Sequence, residues 1–390
     1  MMAKKQLVAL FACALVGWTI MQSLLNLLPV YAVHLGADQA LAGNFLALAF
    51  VALTAGTLAA GWLSDKLQRR KSMLILVGLL NVPATWLMGQ ATEFWQLALL
   101  TVIVYFLISF GFTTINILAG LFAGSSERGK IFGILAINAS LGALIGGLVS
   151  GMIVDRWGYP SLFLAASLCW VLQPFIALFL QDKAISETRP GVGPIRSENQ
   201  TLGKTFYVFM LANLIAFGAS FMAVLGRPLL MDKLRFDTAA ISGVVALGGA
   251  VSMPLPLLLG WLSDRMNRYW LIIACFLGSA IGLAVLAKSL SLWHFGASAI
   301  LLSGVGVSLG IGPALVMDLV PPEKLGRALS WYNFSPPMSG MLCFAFVGYA
   351  FQGFGMRATF IGGALLTLIA IALVIRIQGA RPSSYDSPIV

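Results

Sequence analysis

Apolar stretches of about twenty residues follow one another along almost the whole chain, divided only by short polar turns. A bilayer core about 30 Å thick needs roughly 20 apolar residues in helical form. Twelve stretches meet that length, over 7–33, 39–62, 72–91, 95–121, 131–154, 161–181, 203–231, 239–262, 270–288, 293–319, 328–351 and 358–377. Transmembrane strands do not account for them, because barrel strands alternate polar and apolar residues, whereas a stretch such as 97–112 is apolar on every face. With 59% hydrophobic and 10% charged residues, the chain reads as an all-α membrane protein. Lys4 and Lys5 ahead of the first stretch resemble the start of a signal peptide, but that stretch is too long and lacks a cleavage site, so it is expected to stay as helix 1.

The net charge of +10 does not point to nucleic acid, because most of the 24 Lys and Arg residues sit in alternate loops. If the N-terminus is inside, Lys66, Arg69, Arg70, Lys71, Arg128, Arg265, Arg268 and Arg327 all fall on the inner side. The positive-inside rule then predicts a multi-pass protein of the cytoplasmic membrane with both termini cytoplasmic. Cys13, Cys169, Cys275 and Cys343 lie in four different spans with no disulfide or metal-site spacing. No cofactor motif is visible. Neither a phosphate-binding loop nor a nucleophile with its base can be found, so ATP hydrolysis and other enzyme chemistry are not expected.

Two turns of the chain are near copies. GWLSDKLQRRK begins at Gly61 and GWLSDRMNRYW begins at Gly260, 199 residues later. Pro29 and Pro228 keep the same offset, and WGYPSLF ending at Phe163 matches FGMRATF ending at Phe360 with an offset of 197. An even number of spans per copy keeps both copies in the same orientation, which predicts two pseudo-symmetric six-helix bundles. The expected units are an N-terminal bundle over 1–181, a cytoplasmic linker over 182–202, a C-terminal bundle over 203–378 and a tail over 379–390. Pro254, Pro256, Pro336 and Pro337 are expected to break helices 8 and 11.

The repeated turn resembles the signature of the major facilitator superfamily, Gly-x-Leu-Ala-Asp-Arg-x-Gly-Arg-Lys. Gly61, Leu63, Asp65, Lys66, Arg69 and Arg70 match it, with Ser64 for alanine and Gln68 for the second glycine; the second copy keeps Gly260, Leu262, Asp264, Arg265 and Arg268. Gly61, Asp65, Arg69, Arg70, Gly260, Asp264 and Arg268 are therefore candidates for a conformational latch that forms when the halves close on the inner side. In helix 5, Gly133, Gly142, Gly146 and Gly151 fall on the family's antiporter spacing, with Gly147 and Ser150 departing from it. Glycines at such spacing also serve simply to pack helices.

In the resembled architecture helices 1, 4, 7 and 10 line a central cavity. Trp18, Gln22 and Asn26 form a stripe on helix 1, Asn213, Phe217 and Phe221 one on helix 7, and Tyr105, Ser109 and Asn116 one on helix 4. These nine are the candidate substrate-binding residues, and they suit a nonpolar solute oriented by uncharged hydrogen-bonding groups. Asn138, Trp331, Tyr332 and Asn333 are weaker candidates, and Arg227 suits either snorkelling or a gate. The resemblance implies a monomeric transporter that exports a drug-like or amphiphilic compound by alternating access. Uptake of a sugar-like solute and a non-transporting sensor or scaffold remain the alternatives, and membrane lipids are the other expected partner. No Asp or Glu falls at mid-depth of a span, and the family's helix 4 proton motif, Arg-x-x-x-Gly, has Leu107 at its arginine. Coupling through a central carboxylate is therefore not expected.

Overall fold

A computed structural model describes residues 4–122, 128–182, 202–263, 265–320 and 324–379. The described residues are almost entirely helical. We number the spans α1 (Lys4–His34), α2 (Gln39–Leu67), α3 (Arg70–Met88), α4 (Phe94–Phe122), α5 and α6 (128–157 and 159–178), α7 (Lys204–Lys233), α8 (Thr238–Ser252 and Leu255–Ser263), α9 (Arg268–Ala287), α10 (Leu292–Leu319), α11 (Leu325–Phe354) and α12 (Met356–Gly379). Among the described residues, ten helical segments are long and apolar enough to cross a membrane. One of these, Ile131–Leu178, contains both α5 and α6, and the broken α8 supplies the twelfth span.

Unusual backbone conformations recur at repeat-equivalent positions. Gly158 (φ 77°, ψ 172°) turns α5 directly into α6, and Gly355 (φ 81°, ψ 154°) turns α11 into α12. That region of conformational space is open in practice only to glycine, so each hairpin needs no further loop residues. Asp38 caps α2 by accepting from the Leu41 N–H at 2.7 Å, and Asp237 caps α8 by accepting from the Ala240 N–H at 2.7 Å. Gln68, which stands at the signature's glycine, is left-handed at φ 52°, so the turn demands the conformation that glycine supplies elsewhere.

The prolines divide. Met253 and Pro254 interrupt α8 as expected, but α11 runs unbroken through Pro336 and Pro337. Pro336 cannot donate to the Tyr332 carbonyl, and the Ser335 hydroxyl donates to it instead at 2.8 Å. A freed backbone acceptor is thus satisfied without a break. The expected linker and tail, apart from Asp182, Leu202 and Gly379, lie outside the described residues.

We call the side where α1 begins and α12 ends the terminal face and the opposite side the far face. On the far side one continuous apolar core draws on both halves, from Leu24, Leu28 and Phe163 to Leu229, Phe344 and Phe360. Toward the terminal face the core divides between the halves, into two clusters confined to the first half, around Leu10, Leu74 and Leu118 and around Ala60, Met73 and Leu107, and one confined to the second half, around Phe209, Phe276 and Tyr332.

Candidate functional site

Two seams close the far side. Along α5 and α8, a Cβ on Gly147 would lie 2.6 Å from the Ser242 carbonyl oxygen, and one on Gly249 2.6 Å from the Leu144 nitrogen. Along α2 and α11, a Cβ on Gly43 would lie 2.6 Å from the Phe344 carbonyl oxygen, and one on Gly348 2.8 Å from the Ala40 Cα. Such approaches require glycine and bring backbones into direct contact. The last cross-half hydrogen bond toward the terminal face among the described residues joins Ser252 to Ser140 at 3.2 Å. In the other seam Phe50 stands edge-on to Phe221 (centroids 5.2 Å) and Phe344 (5.0 Å), about 16 Å along α2 from its start. Both closures therefore end near mid-depth, and the space between the halves opens toward the terminal face.

The floor of that space holds part of the predicted set. Trp18 packs against both the shared core and the first half's own cluster, while Phe221 does the same between the shared core and the second half's cluster. Both stand at the fork. Trp18 stacks on Phe112 of α4 at 4.8 Å, Gln22 is half-buried with no hydrogen bond from its amide to a described residue, and Asn116 is exposed.

The remaining candidates are engaged within or between packed helices or lie away from this floor. Asn26 is buried and donates to the Gln22 carbonyl at 2.5 Å, and Asn213 is buried and donates to the Phe209 carbonyl at 2.9 Å, so each satisfies its own helix. Phe217 is a member of the second half's core. Ser109 meets Thr57 Oγ1 and the Leu53 carbonyl, both at 2.6 Å, and Tyr105 is fully buried, so most of the α4 stripe faces neighbouring helices rather than the opening. Asn138 and Tyr332 are also fully buried, whereas Trp331 and Asn333 are exposed. Arg227 is half-buried and forms no ion pair with a described residue.

The terminal-face turns differ from expectation in detail. Asp65 and Arg69 are exposed and make no ion pair with each other or with another described residue, and a Cβ on Gly61 would meet nothing within 4 Å. Arg70 does not reach lipid. It is buried, its Nε donating to Ser64 Oγ at 2.7 Å and its Nη2 to the Ser64 carbonyl at 3.3 Å, which ties the start of α3 to the end of α2. In the second copy Arg268 pairs with Asp318 of α10 at 2.6 Å, while Asp264 lies outside the described residues, as do the surroundings of Gly260. Sequence reasoning missed why the copies share a tryptophan. Lys66 Nζ lies 5.0 Å over the Trp62 ring and the Arg265 guanidinium 4.0 Å over Trp261, one cation–π pair per copy. It also missed Phe50, Phe112 and Phe344, and the approach of His34 to Asp232, 3.5 Å apart across the halves.

The chain matches the Major Facilitator Superfamily over residues 7–268 and again over 208–388. The multidrug resistance protein MdtG of Citrobacter koseri is 26% identical over 372 residues, covering 90% of this chain and 89% of that protein. Its namesake in Serratia proteamaculans is 27% identical over 382 residues, covering 93% and 90%. Among solved structures, a bacterial homologue of the human lysosomal transporter Spinster, inward-facing and unoccupied, aligns with a TM-score of 0.75 at 14% identity over 96% of each chain. The nucleoside transporter NupG aligns with a TM-score of 0.77 at 14% identity over 97% of this chain and 100% of that one. Identities this low speak for the fold alone. Since the family match runs from the first span past the last and the spans pair up by repeat, the chain is an integral multi-pass membrane protein of the major facilitator superfamily.

Proposed function

We propose that this protein carries small, largely uncharged amphiphilic molecules across the membrane by alternating access, in the export direction, as a monomer with its terminal face in the cytoplasm. The observation that carries the reading is the forked core: one shared core seals the far side, separate cores within each half leave the terminal side open, and Trp18 and Phe221 stand at the fork. An aromatic floor with the unpaired Gln22 amide and the Asn116 side chain offers apolar contact and a few neutral hydrogen bonds. The names of the MdtG relatives agree with a drug-like substrate, and the basic residues of the terminal-face turns agree with a cytoplasmic placement. Flux of labelled neutral amphiphiles, lipophilic cations, sugars and amino acids in proteoliposomes tests the proposal, and outward movement of the amphiphiles supports it. Movement of sugars alone favours uptake of a sugar-like solute, and no flux of any kind favours the sensor or scaffold.

Energy coupling through a central carboxylate is not part of this reading. Asp38, Glu93, Asp155, Asp232, Asp237 and Asp318 all stand at helix ends or in turns, and Asp318 is engaged with Arg268. Concentrative flux driven by a pH gradient at clamped membrane potential would overturn that part. In this state Asp65 has no ion pair with a described residue to lose, so Asp65→Asn is expected to leave the melting temperature unchanged while slowing turnover several-fold, because the terminal side must close around it in each cycle. Unchanged turnover removes Asp65 from the latch.

A further inference from the structure

The far ends of the two seams carry a matched pair of polar contacts that the terminal-face signature does not include. At the end of α5, Asp155 reaches across to the other half. Its Oδ1 accepts from the Thr238 N–H at 3.0 Å and from the Thr238 hydroxyl, and its Oδ2 accepts from the Ala239 N–H at 2.7 Å. The first N–H groups of α8 have no partner within their own helix, and a carboxylate there also meets the positive end of the helix dipole. Asp237 of the same half serves the next N–H, so one aspartate from each half shares the helix terminus. The Thr238 hydroxyl also lies 3.2 Å from the Gly151 carbonyl, and the Gly151 N–H donates to Ser242 Oγ at 3.1 Å.

The repeat puts Gln352 of α11 where α5 has Asp155, and Asp38 of α2 where α8 has Asp237. The side chain of Gln352 lies beside Asp38 on the wall of one pocket, but it is too loosely placed to form a hydrogen bond of ordinary geometry with it. Gly348 meets the Gln39 carbonyl and Ala40 just as Gly151 meets the Thr238 carbonyl and Ala239. Backbone geometry is therefore conserved between the two sites within this molecule, and the chemistry is not. One site spends a carboxylate on two backbone donors and a hydroxyl. The other has a neutral amide that stands beside the capping side chain and binds no backbone donor of α2.

We propose that Asp155 and Gln352 are paired far-face latches of unequal strength, with Asp155 the stronger, and that opening the far side requires the Asp155 bonds to α8 to break. The proposal rests on alternating access as the mode of action. Hydrogen bonds to a charged acceptor are roughly twice as strong as neutral ones, and those made by Asp155 span the very surfaces that must separate. His34 and Asp232 add a further cross-half contact on the same face, as does the 2.9 Å hydrogen bond that the Asn44 amide of α2 donates to the Tyr349 hydroxyl of α11.

The test is a pulsed electron-paramagnetic-resonance distance between spin labels at Glu93→Cys and Leu290→Cys, two exposed far-face positions in opposite halves, in liposomes and on a background without native cysteines. Asp155→Ala is expected to raise the ratio of long to short distances roughly tenfold or more, and Gln352→Ala only a few-fold. Should Asp155→Ala not fold, Asp155→Asn, which keeps the size and loses the charge, carries the same test with a smaller shift. Unchanged distances in the folded Asp155 variant, or a larger shift from Gln352→Ala, overturn the proposal. Wild-type distances together with retained flux defeat the latch alone. A far side that opens in Asp155→Ala while the wild type shows no flux of any substrate defeats the transport reading and leaves the latch standing.

Discussion

The α5–α8 and α2–α11 seams occupy equivalent places in the two repeats, yet they are filled by different chemistry. Gly249 of α8 lies against the α5 backbone at Ser140 and Leu144, whereas its counterpart in α2 is Phe50, whose ring rests on Gly340 and between Phe221 and Phe344. At the far end the α5–α8 seam has Asp155 and the α2–α11 seam has Gln352. One seam is thus backbone on backbone, pinned by a charge; the other is wedged by aromatic rings. Two copies that began with one packing plan have kept the glycine contacts that set the distance and have diverged in what holds them there. A transporter that must open both seams at once has reason to place the stiff contact on one side and the adaptable one on the other.

The largest expected effect falls where the seams are alike. Gly151→Val and Gly348→Val each drive side-chain atoms into the backbone of the opposite half, at the Ala239 Cα (2.6 Å) and the Ala40 Cα (2.8 Å) respectively. Backbone cannot give way as a flexible side chain does, so each change should cost the closed far side about 3 kcal/mol or more. Both variants are expected to lose flux, with the far-face distances shifted to the open state. If one glycine tolerates valine and the other does not, the seams are not equivalent in geometry and the comparison fails at its base.

A smaller effect is expected where they differ. Phe50→Ala removes two edge-to-face contacts, each worth about 0.5–1.5 kcal/mol beyond simple contact, so the closed far side should weaken by about 1–3 kcal/mol. Its repeat counterpart, Gly249→Ala, has the opposite problem, because a Cβ there would lie 2.6 Å from the Leu144 nitrogen. Thermal unfolding of the two variants in the same detergent separates loss of a wedge from overpacking. Phe50→Ala should keep substrate affinity while shifting the far-face distances, and a variant with wild-type distances would show that the ring merely fills space.

Much of this architecture was legible in the sequence, and the reasons are specific. Span positions follow from length and apolarity, so 39–62 was expected where Gln39–Leu67 is found, and the shared Gly-Trp-Leu-Ser-Asp turn revealed the repeat from which the seams follow. What could not be read was which face of a helix meets which neighbour. A span that is apolar all round has no polar face to orient it, so Phe50 and Phe344 gave no signal, and the stripe of Tyr105 and Ser109 proved to face other helices. Spacing singled out the glycines of α5 but not their division of labour. Gly142 and Gly146 lie against α1, Gly147 and Gly151 against α8, and Gly133 against nothing within 4 Å. Charge was legible as topology but not as contact, so nothing in the sequence set Arg70, buried against Ser64, apart from its exposed neighbour Arg69. Asp155 looked like one more helix-end acid until the structure brought α8 to it.

The smallest expected effect concerns pH at the weaker latch. The Leu41 N–H, with help from the Gln352 side chain and the Ala40 N–H, holds the Asp38 carboxyl below its usual range, although some loss of hydration acts against them. Its stabilising contribution is therefore fully present above the unfolded-state value of about 3.9 and is lost as pH falls through the lower folded-state value. Acidification of the far side from pH 7 to pH 5 should leave the α2–α11 seam untouched. Asp38→Asn keeps an oxygen acceptor of the same size for the cap but removes the charge, so the melting-temperature difference between wild type and this variant should be constant from pH 8 to pH 5 and shrink only below about pH 4. A difference that already shrinks between pH 7 and pH 5 would place the titration elsewhere, and the polar contact at this end of the seam would then lie in some group other than the Asp38–Gln352 pair.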